Sequence, residues 1–276
     1  ARRWVAMTSS LRRRLVRYLG VLLATALPTL AAAAPAPEVE LEQMTSTELR
    51  ARIAAGTRTV LLPIGGTEQN GPHMSLGKHN VRARLLAVRI AERLGNAVVA
   101  PVIAYVPEGS IDPPSQHMRH AGTISIPEPV FEATLEAAAR SLHRHGLRDV
   151  VLLGEHGGYR ASLDRVAAKL NREWGARGHV DAAPSYYGAA DTEYATWLAA
   201  RGYTRDEIGQ HAGLADTALM LALDPSQVRA ELAAQGAGVG VRGDPRRATA
   251  ALGEAGVEMI VAATVKALRT GAAAGR

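Results

Sequence analysis

Seven side chains in three short stretches have the donor chemistry to hold a divalent cation and activate water. They are Glu68, His73 and His79 in GTEQNGPHMSLGKHN, Glu155 and His156 in GEHGGYR, and His211 and Asp216 in QHAGLADTALM. Carboxylate oxygens and imidazole nitrogens suit Zn, Mn or Fe, whereas thiolate ligation and thiol nucleophiles are excluded because the chain has no cysteine. The other histidines carry less. A lone loop histidine is ordinarily a hydrogen-bonding or exposed residue, and His117, His143, His145 and His179 are read that way. His143 and His145 close a helical stretch, where a cation suits the helix dipole. GEHGGYR lacks both G-x-G-x-x-G and the Lys-Ser/Thr of a phosphate loop, so Gly157 and Gly158 are expected to let backbone approach a metal or ligand instead.

The elements that must position these residues follow from apolar runs. TVLLPIG (59–65) and DVVLLG (149–154) are continuous apolar segments ending in Gly, the pattern of parallel strands buried on both faces. NAVVAPVIAYV (96–106) is expected as a third strand and GTISI (122–126) as a short fourth. Amphipathic helices are expected from Val81, Glu128 and Ala161, and a capping box of Thr45 and Glu48 opens a short helix that ends at Gly56. Asp244 reads as a cap before Pro245, and the last helix is expected to be broken or kinked near Gly253 and Gly256. Strands alternating with helices give an α/β domain with a mostly parallel sheet. In such sheets ligands bind outside the carboxyl ends of the strands, where the first two motifs fall.

The 276 residues are 47% hydrophobic, enough for one domain over residues 34–276. The net charge of +6 suggests nucleic-acid binding until its distribution is read. Six of the 32 basic residues precede residue 35, where no acidic residue lies, and the 26 that remain match the 26 acidic ones. Nucleic acid is therefore not an expected partner. Residues 1–33 read as a secretory signal peptide: a basic start, an apolar stretch from Tyr18 to Leu30, then small residues fitting A-x-A cleavage. Residues 1–6 precede Met7 and read as an upstream translation artefact. The apolar stretch is shorter than the ~20 residues of a spanning helix, so no stable membrane anchor is expected and the protein is read as periplasmic or secreted. Arg12, Arg13 and Arg14 resemble a twin-arginine signal.

On these motifs the chain resembles the creatininase (creatinine amidohydrolase) family. The family pattern G-S-x-E-Q-H-G-P-H-L-P followed by Asp lies over GGTEQNGPHMSLGKHN, N-G-H-G-G-N over GEHGGY, and H-A-G-x-x-E-T over HAGLADT; a late G-D-P matches Gly243-Asp244-Pro245. The resemblance implies a three-layer α/β/α fold, a one- or two-metal site, a homo-oligomer (commonly a hexamer) and hydrolysis of a non-peptide amide C–N bond. It puts metal ligands at Glu68 and His156. The family's bridging Asp falls on His79, its His after Glu-Gln on Asn70, its third-motif acid on Asp216, and a metal-binding Glu of creatininase on Gly158.

Imidazole ordinarily serves one metal through one nitrogen, so these changes favour one ion per chain, with Zn ahead of Mn or Fe. The expected ligands are Glu68, His79, His156 and Asp216, with an open position for water. His211 is the expected proton carrier and Glu155 a base or an orienting residue. His73, Asn70, Gly157 and Gly158 are expected beside the substrate, with a structural role in its turn equally open for His73. The resulting expectation is a metal-dependent amidohydrolase for a small amide, cyclic amides included. Lactone or formamide hydrolysis would use the same site. The alternative class is an exported metal- or small-ligand-binding protein that has lost catalysis, since Asn70, His79 and Gly158 are what such decay would look like.

Overall fold

Strands β1 (Thr59–Ile64), β2 (Ala97–Val99), β3 (Asp149–Gly154) and β4 (His179–Asp181) pair in parallel in the order β2-β1-β3-β4. This is seen in a computed structural model that describes residues 38–236 and 240–274; the proposed leader lies outside them. Parallel neighbours require long crossovers, and helices supply them. α1 (Ser46–Ala54) precedes the sheet, α2 (Lys78–Leu94) joins β1 to β2, α3 (Glu128–Arg144) joins β2 to β3, and α4 (Arg160–Trp174) joins β3 to β4. After β4 come α5 (Pro184–Gly188), a π turn (Ala189–Glu193), α6 (Tyr194–Ala199), α7 (Arg205–Ile208), α8 (Leu214–Leu223) and α9 (Ala250–Ala274).

The strand period of two splits the core into two layers. Val60, Leu62 and Ile64 of β1, with Val150 and Leu152 of β3, pack on Phe131 and Leu135 of α3 and Leu163 and Leu170 of α4. Leu61, Val151 and Leu153 face the other way, onto Leu86 and Ile90 of α2, and the same layer takes in Leu219 of α8 and Ile260 of α9. The fold is the three-layer α/β/α arrangement. Each fully buried Leu or Ile stabilises it by ~1.5–3 kcal/mol, so this alternation outweighs any single polar contact in fixing strand register.

Several local expectations hold. Thr45 and Glu48 form the capping box, with Glu48 N donating to Thr45 Oγ1 at 3.3 Å and Thr45 N to Glu48 Oε2 at 2.7 Å. Asp244 accepts from Arg246 N at 3.1 Å ahead of the short 3-10 turn Pro245–Arg247. Others are corrected. Of the run 96–106 only Ala97–Val99 is strand; Ala100 N still donates to Leu61 O at 2.8 Å, after which the regular register with β1 is lost and Ile103 N donates to Pro63 O at 2.9 Å, with a single parallel bridge from Ile103 to Ile64. GTISI contributes one antiparallel bridge, Ile124 to Thr67, and the fourth strand is instead the short, half-polar His179–Asp181. Among the described residues no helix is long and apolar enough to cross a membrane.

α9 runs unbroken through Gly253 and Gly256. These glycines serve close approach rather than a kink: a Cβ at Gly253 would lie 1.8 Å from the Ala218 carbonyl oxygen of α8, and one at Gly256 2.8 Å from the Tyr194 ring. In an exposed helix Gly→Ala gains about 1 kcal/mol. Here Gly253→Ala is expected to reverse that sign and lose ~1–3 kcal/mol by overpacking, read from urea denaturation midpoints; a stabilised variant would refute the close packing of α8 on α9.

Candidate metal centre

β1 hands its chain to β2 on one side and β3 hands its chain to β4 on the other, so the carboxyl ends of these two neighbours flank a topological switch point. Their ladder ends at Ile64 and Gly154. Tyr159 ties the ends together. Its buried hydroxyl accepts from Glu155 N (3.0 Å) and His156 N (3.1 Å) and lies 2.8 Å from the carbonyl oxygens of both Ile64 and Gly65, to which it can donate. Gly66, at φ +152°, then turns the chain where a Cβ would sit 2.6 Å from Glu108 Oε1.

Just beyond this turn, Glu68, Glu108, His117 and His156 each offer a ligand atom, all within 4.8 Å of one another. Glu68 and Glu108 are 0% and 1% exposed. Glu68 Oε2 lies 3.2 Å from His117 Nδ1 and 3.9 Å from His156 Nε2, and Gly158 N donates to His156 Nδ1 at 3.0 Å, aiming Nε2 at Glu68. Glu68 Oε2, both Glu108 oxygens and His117 Nδ1 are buried without a hydrogen-bond partner. An orphaned buried polar atom costs ~1–3 kcal/mol, so several converging on one point call for a shared partner. Two carboxyl groups and two imidazoles fit a divalent cation.

The electrostatics agree. Burial, together with the negative charge of Glu68, pushes the Glu108 carboxyl up to about 9. Burial would raise Glu68 as well, but His79 and the positive charge of Lys78 bring it below the ordinary range. Burial lowers His156 to about 4 and also lowers His117, which keeps both imidazoles in the neutral form that ligates.

Of the residues expected as ligands, Glu68 and His156 lie in this cluster, and His79 and Asp216 do not. His79, on the first turn of α2, sets Nε2 2.9 Å from Glu68 Oε1 and Nδ1 3.5 Å from Glu155 Oε2. Asp216 accepts from Arg82 Nη1 (2.7 Å) through Oδ1 and from Lys78 Nζ (2.7 Å) and Ala212 N (2.9 Å) through Oδ2. Its oxygens are already taken, which is the physical reason it is placed among ion pairs rather than in the cluster. Glu155 is likewise engaged, with Oε2 accepting from Arg82 Nε and Oε1 from the Tyr186 hydroxyl.

His211 keeps Nε2 on the Gln69 carbonyl oxygen at 2.9 Å, and burial with the Lys78 charge lowers it to about 3. Its Nδ1 faces Glu68 Oε1 at 3.6 Å. His73 is buried against Thr217 Oγ1 (3.0 Å) and outside the cluster. Asn70 donates to the carbonyls of Glu68 (2.9 Å) and Ser75 (3.0 Å), holding the turn. Gly157 and Gly158 line, with His156, a cavity of about 370 Å³ whose floor includes His79, Arg82 and Glu155. A second cavity of about 540 Å³ opens on the His117 side, and His211 and Arg242 line both.

Sequence reasoning missed Glu108 and His117, both in the loop VPEGSIDPPSQHMRH, which has neither helical nor strand period. One usable signal was position, since this loop follows the run containing β2 and leaves the sheet on the same edge as the first two motifs. Lys78, ahead of the helix expected from Val81, and Arg82, within it, carried no signal beyond an ordinary charge, yet they are 0% and 5% exposed.

A family model described as creatinine amidohydrolase matches residues 42–268. The chain is 32% identical over 206 residues to the mycofactocin precursor peptide peptidase of Mycolicibacterium smegmatis, covering 71% of this chain and 78% of that protein. It is 31% identical over 192 residues to the creatinine amidohydrolase of Pseudomonas putida, covering 67% and 72%. A solved tryptophan-to-alanine mutant creatininase superposes with a TM-score of 0.72 at 25% identity, over 85% of this chain and 98% of that one. Solved creatininases include a manganese form and a mutant of Zn–Zn type. With the family model spanning most of its length and relatives this similar over two thirds of it, the chain belongs to the creatininase family of amidohydrolases.

Proposed function

We propose that this chain is a metal-dependent hydrolase that cleaves a non-peptide C–N bond of a small amide, with one divalent ion per chain and Zn favoured over Mn or Fe. The observation that carries this reading is the convergence of buried, unpartnered atoms of Glu68, Glu108 and His117 beside His156. These four residues would hold the ion. When bound, it supplies Lewis-acid polarisation of a substrate carbonyl and acidification of water.

The remaining roles belong to the chain. His211, with Nε2 fixed on Gln69 O, has Nδ1 as the atom that takes and returns a proton on the cluster side. His79 holds Glu68 in place. The 370 Å³ cavity beside His156 receives the substrate. Export through residues 1–33 is part of the same proposal and rests on sequence pattern alone.

A longer substrate is the second reading, favoured by one observation. His156 lines one cavity and His117 the other, so the cluster lies between two recesses, room for a chain extending both ways. The peptidase relative is consistent with it. A panel of creatinine, hydantoin, a γ-lactone and short peptides separates the two readings by which member turns over.

Glu68→Gln and Glu108→Gln are each expected to lose bound metal and turnover together, measured by plasma mass spectrometry and product formation; full metal occupancy in either would place the centre elsewhere. His211→Gln is expected to keep its metal while kcat falls 10²–10⁴-fold on the panel's substrate. Unchanged kcat would remove its role as proton carrier. Because the Glu108 carboxyl is pushed up to about 9, an incoming cation must displace its proton. Affinity for Mn should therefore rise between pH 6 and pH 8, about tenfold per unit for each proton displaced. Calorimetry in two buffers of different ionisation heat counts those protons, and a pH-independent affinity would contradict the assignment.

A further inference from the structure

His79, Glu155 and Asp216 make a second set of metal-type donors on the wall of the 370 Å³ cavity, next to the cluster. Its two carboxylates and an imidazole would ordinarily call for a cation of their own. That cation is part of the chain. Arg82, 5% exposed, donates Nε to Glu155 Oε2 and Nη1 to Asp216 Oδ1 at 2.7 Å, and brings Nη2 to 3.3 Å from His79 Nδ1. Lys78, fully buried, donates Nζ to Asp216 Oδ2 at 2.7 Å. The last oxygen, Glu155 Oε1, accepts from the Tyr186 hydroxyl. Every carboxylate oxygen of the set has a donor, and two fixed positive charges meet two negative ones. Among the described residues, only Glu68, Glu108, His117 and His156 form a group with metal-ligand spacing.

We propose that Arg82, assisted by Lys78, is a built-in substitute for a second metal ion. It holds Glu155, Asp216 and His79 as a cation would and limits the chain to one exchangeable ion. A guanidinium suits the task because it is permanently charged and its planar fork reaches several acceptors at once. Helix α2 delivers it: Lys78 and Arg82 are four residues apart and so share one face over its first two turns, with His79 next to Lys78. Both are positioning residues. Arg82 acts through His79, which meets Glu68 Oε1 at 2.9 Å, and Lys78 acts through Asp216, which it shares with Arg82; together they fix the carboxylate that serves the metal centre.

The inference rests on the metal-centre reading only for the absolute count of ions, and the test separates the two. Wild type, Arg82→Ala and the double variant Arg82→Met/Glu155→Gln are equilibrated with excess Zn, desalted and assayed for metal per chain, with thermal midpoints taken with and without Zn. Arg82→Ala leaves the buried Glu155 carboxylate, the part-buried Asp216 carboxylate and His79 without their guanidinium, so it is expected to hold one ion more than wild type and to gain more from Zn in thermal midpoint. The double variant loses one charge of each sign and is expected to keep the wild-type count. Equal counts in Arg82→Ala and wild type, two ions in wild type, or an extra ion in the double variant would overturn the proposal. If Arg82→Ala folds only with Zn present, that rescue supports it, and an Arg82→Ala protein that Zn fails to rescue counts against it. Zero ions in wild type with one in Arg82→Ala would remove the metal-centre reading and leave this inference standing.

Discussion

Two carboxyl groups, those of Glu68 and Glu108, face each other almost completely out of water, and the rest of the site is arranged around that cost. Like charges in a dry interior cannot both be ionised without compensation. The protein compensates in two ways at once. On one side it presents neutral histidines, His117 and His156, and leaves oxygen lone pairs unpaired, a surrounding suited to a cation from solution. On the other it ties Glu68 Oε1 to His79, and His79 to a rim of ion pairs whose positive members, Lys78 and Arg82, cannot leave. The open, cation-suited side and the fixed charge thus share one carboxylate, Glu68.

The scaffold makes this arrangement rigid through packing remote from it. β1 and β3 end together at the switch point, where Glu155 N still donates to the Ile64 carbonyl at 3.1 Å and the Tyr159 hydroxyl takes up the next groups, His156 N and the Gly65 carbonyl. The rim draws on a different layer. Asp216 sits on the first turn of α8, and α8 is held close by Gly253 of α9, where even a methyl group would collide with the Ala218 carbonyl. Bringing Asp216 within 2.7 Å of both Arg82 and Lys78 therefore depends on a glycine contact in the helical layer. Burying the rim in this way also makes it costly to break. Removing one partner of a buried pair typically destabilises a protein by ~3–5 kcal/mol, because the other charge is left behind.

What the sequence made legible was whatever repeats with a period or fits a local rule. The apolar runs 59–65 and 149–154 located the two central strands, and the capping box at Thr45 located a helix start. Motif resemblance located the turn at Glu68 and the strand end at His156. Glu108 and His117 stayed invisible because they are brought to the site by an irregular loop, whose path is set by tertiary contacts such as Ser125 Oγ donating to the Gly109 carbonyl at 2.7 Å. His79 and Asp216 were legible as residues of the site, but their contacts with Arg82 and Lys78 were not. Deciding between ligand and ion-pair partner requires knowing which cations lie within reach, and Lys78 and Arg82 look like surface charges until the helix is docked.

The most direct test of the metal centre is anomalous diffraction from crystals of the protein grown with Mn and with Zn, with the scattering peak located at each absorption edge. A single peak within coordination distance of Glu68, Glu108, His117 and His156, with Arg82 still paired to Glu155 and Asp216, is the predicted result. A peak coordinated by His79 and Asp216, with the Arg82 side chain displaced, would contradict both the assigned ligands and the fixed cationic rim.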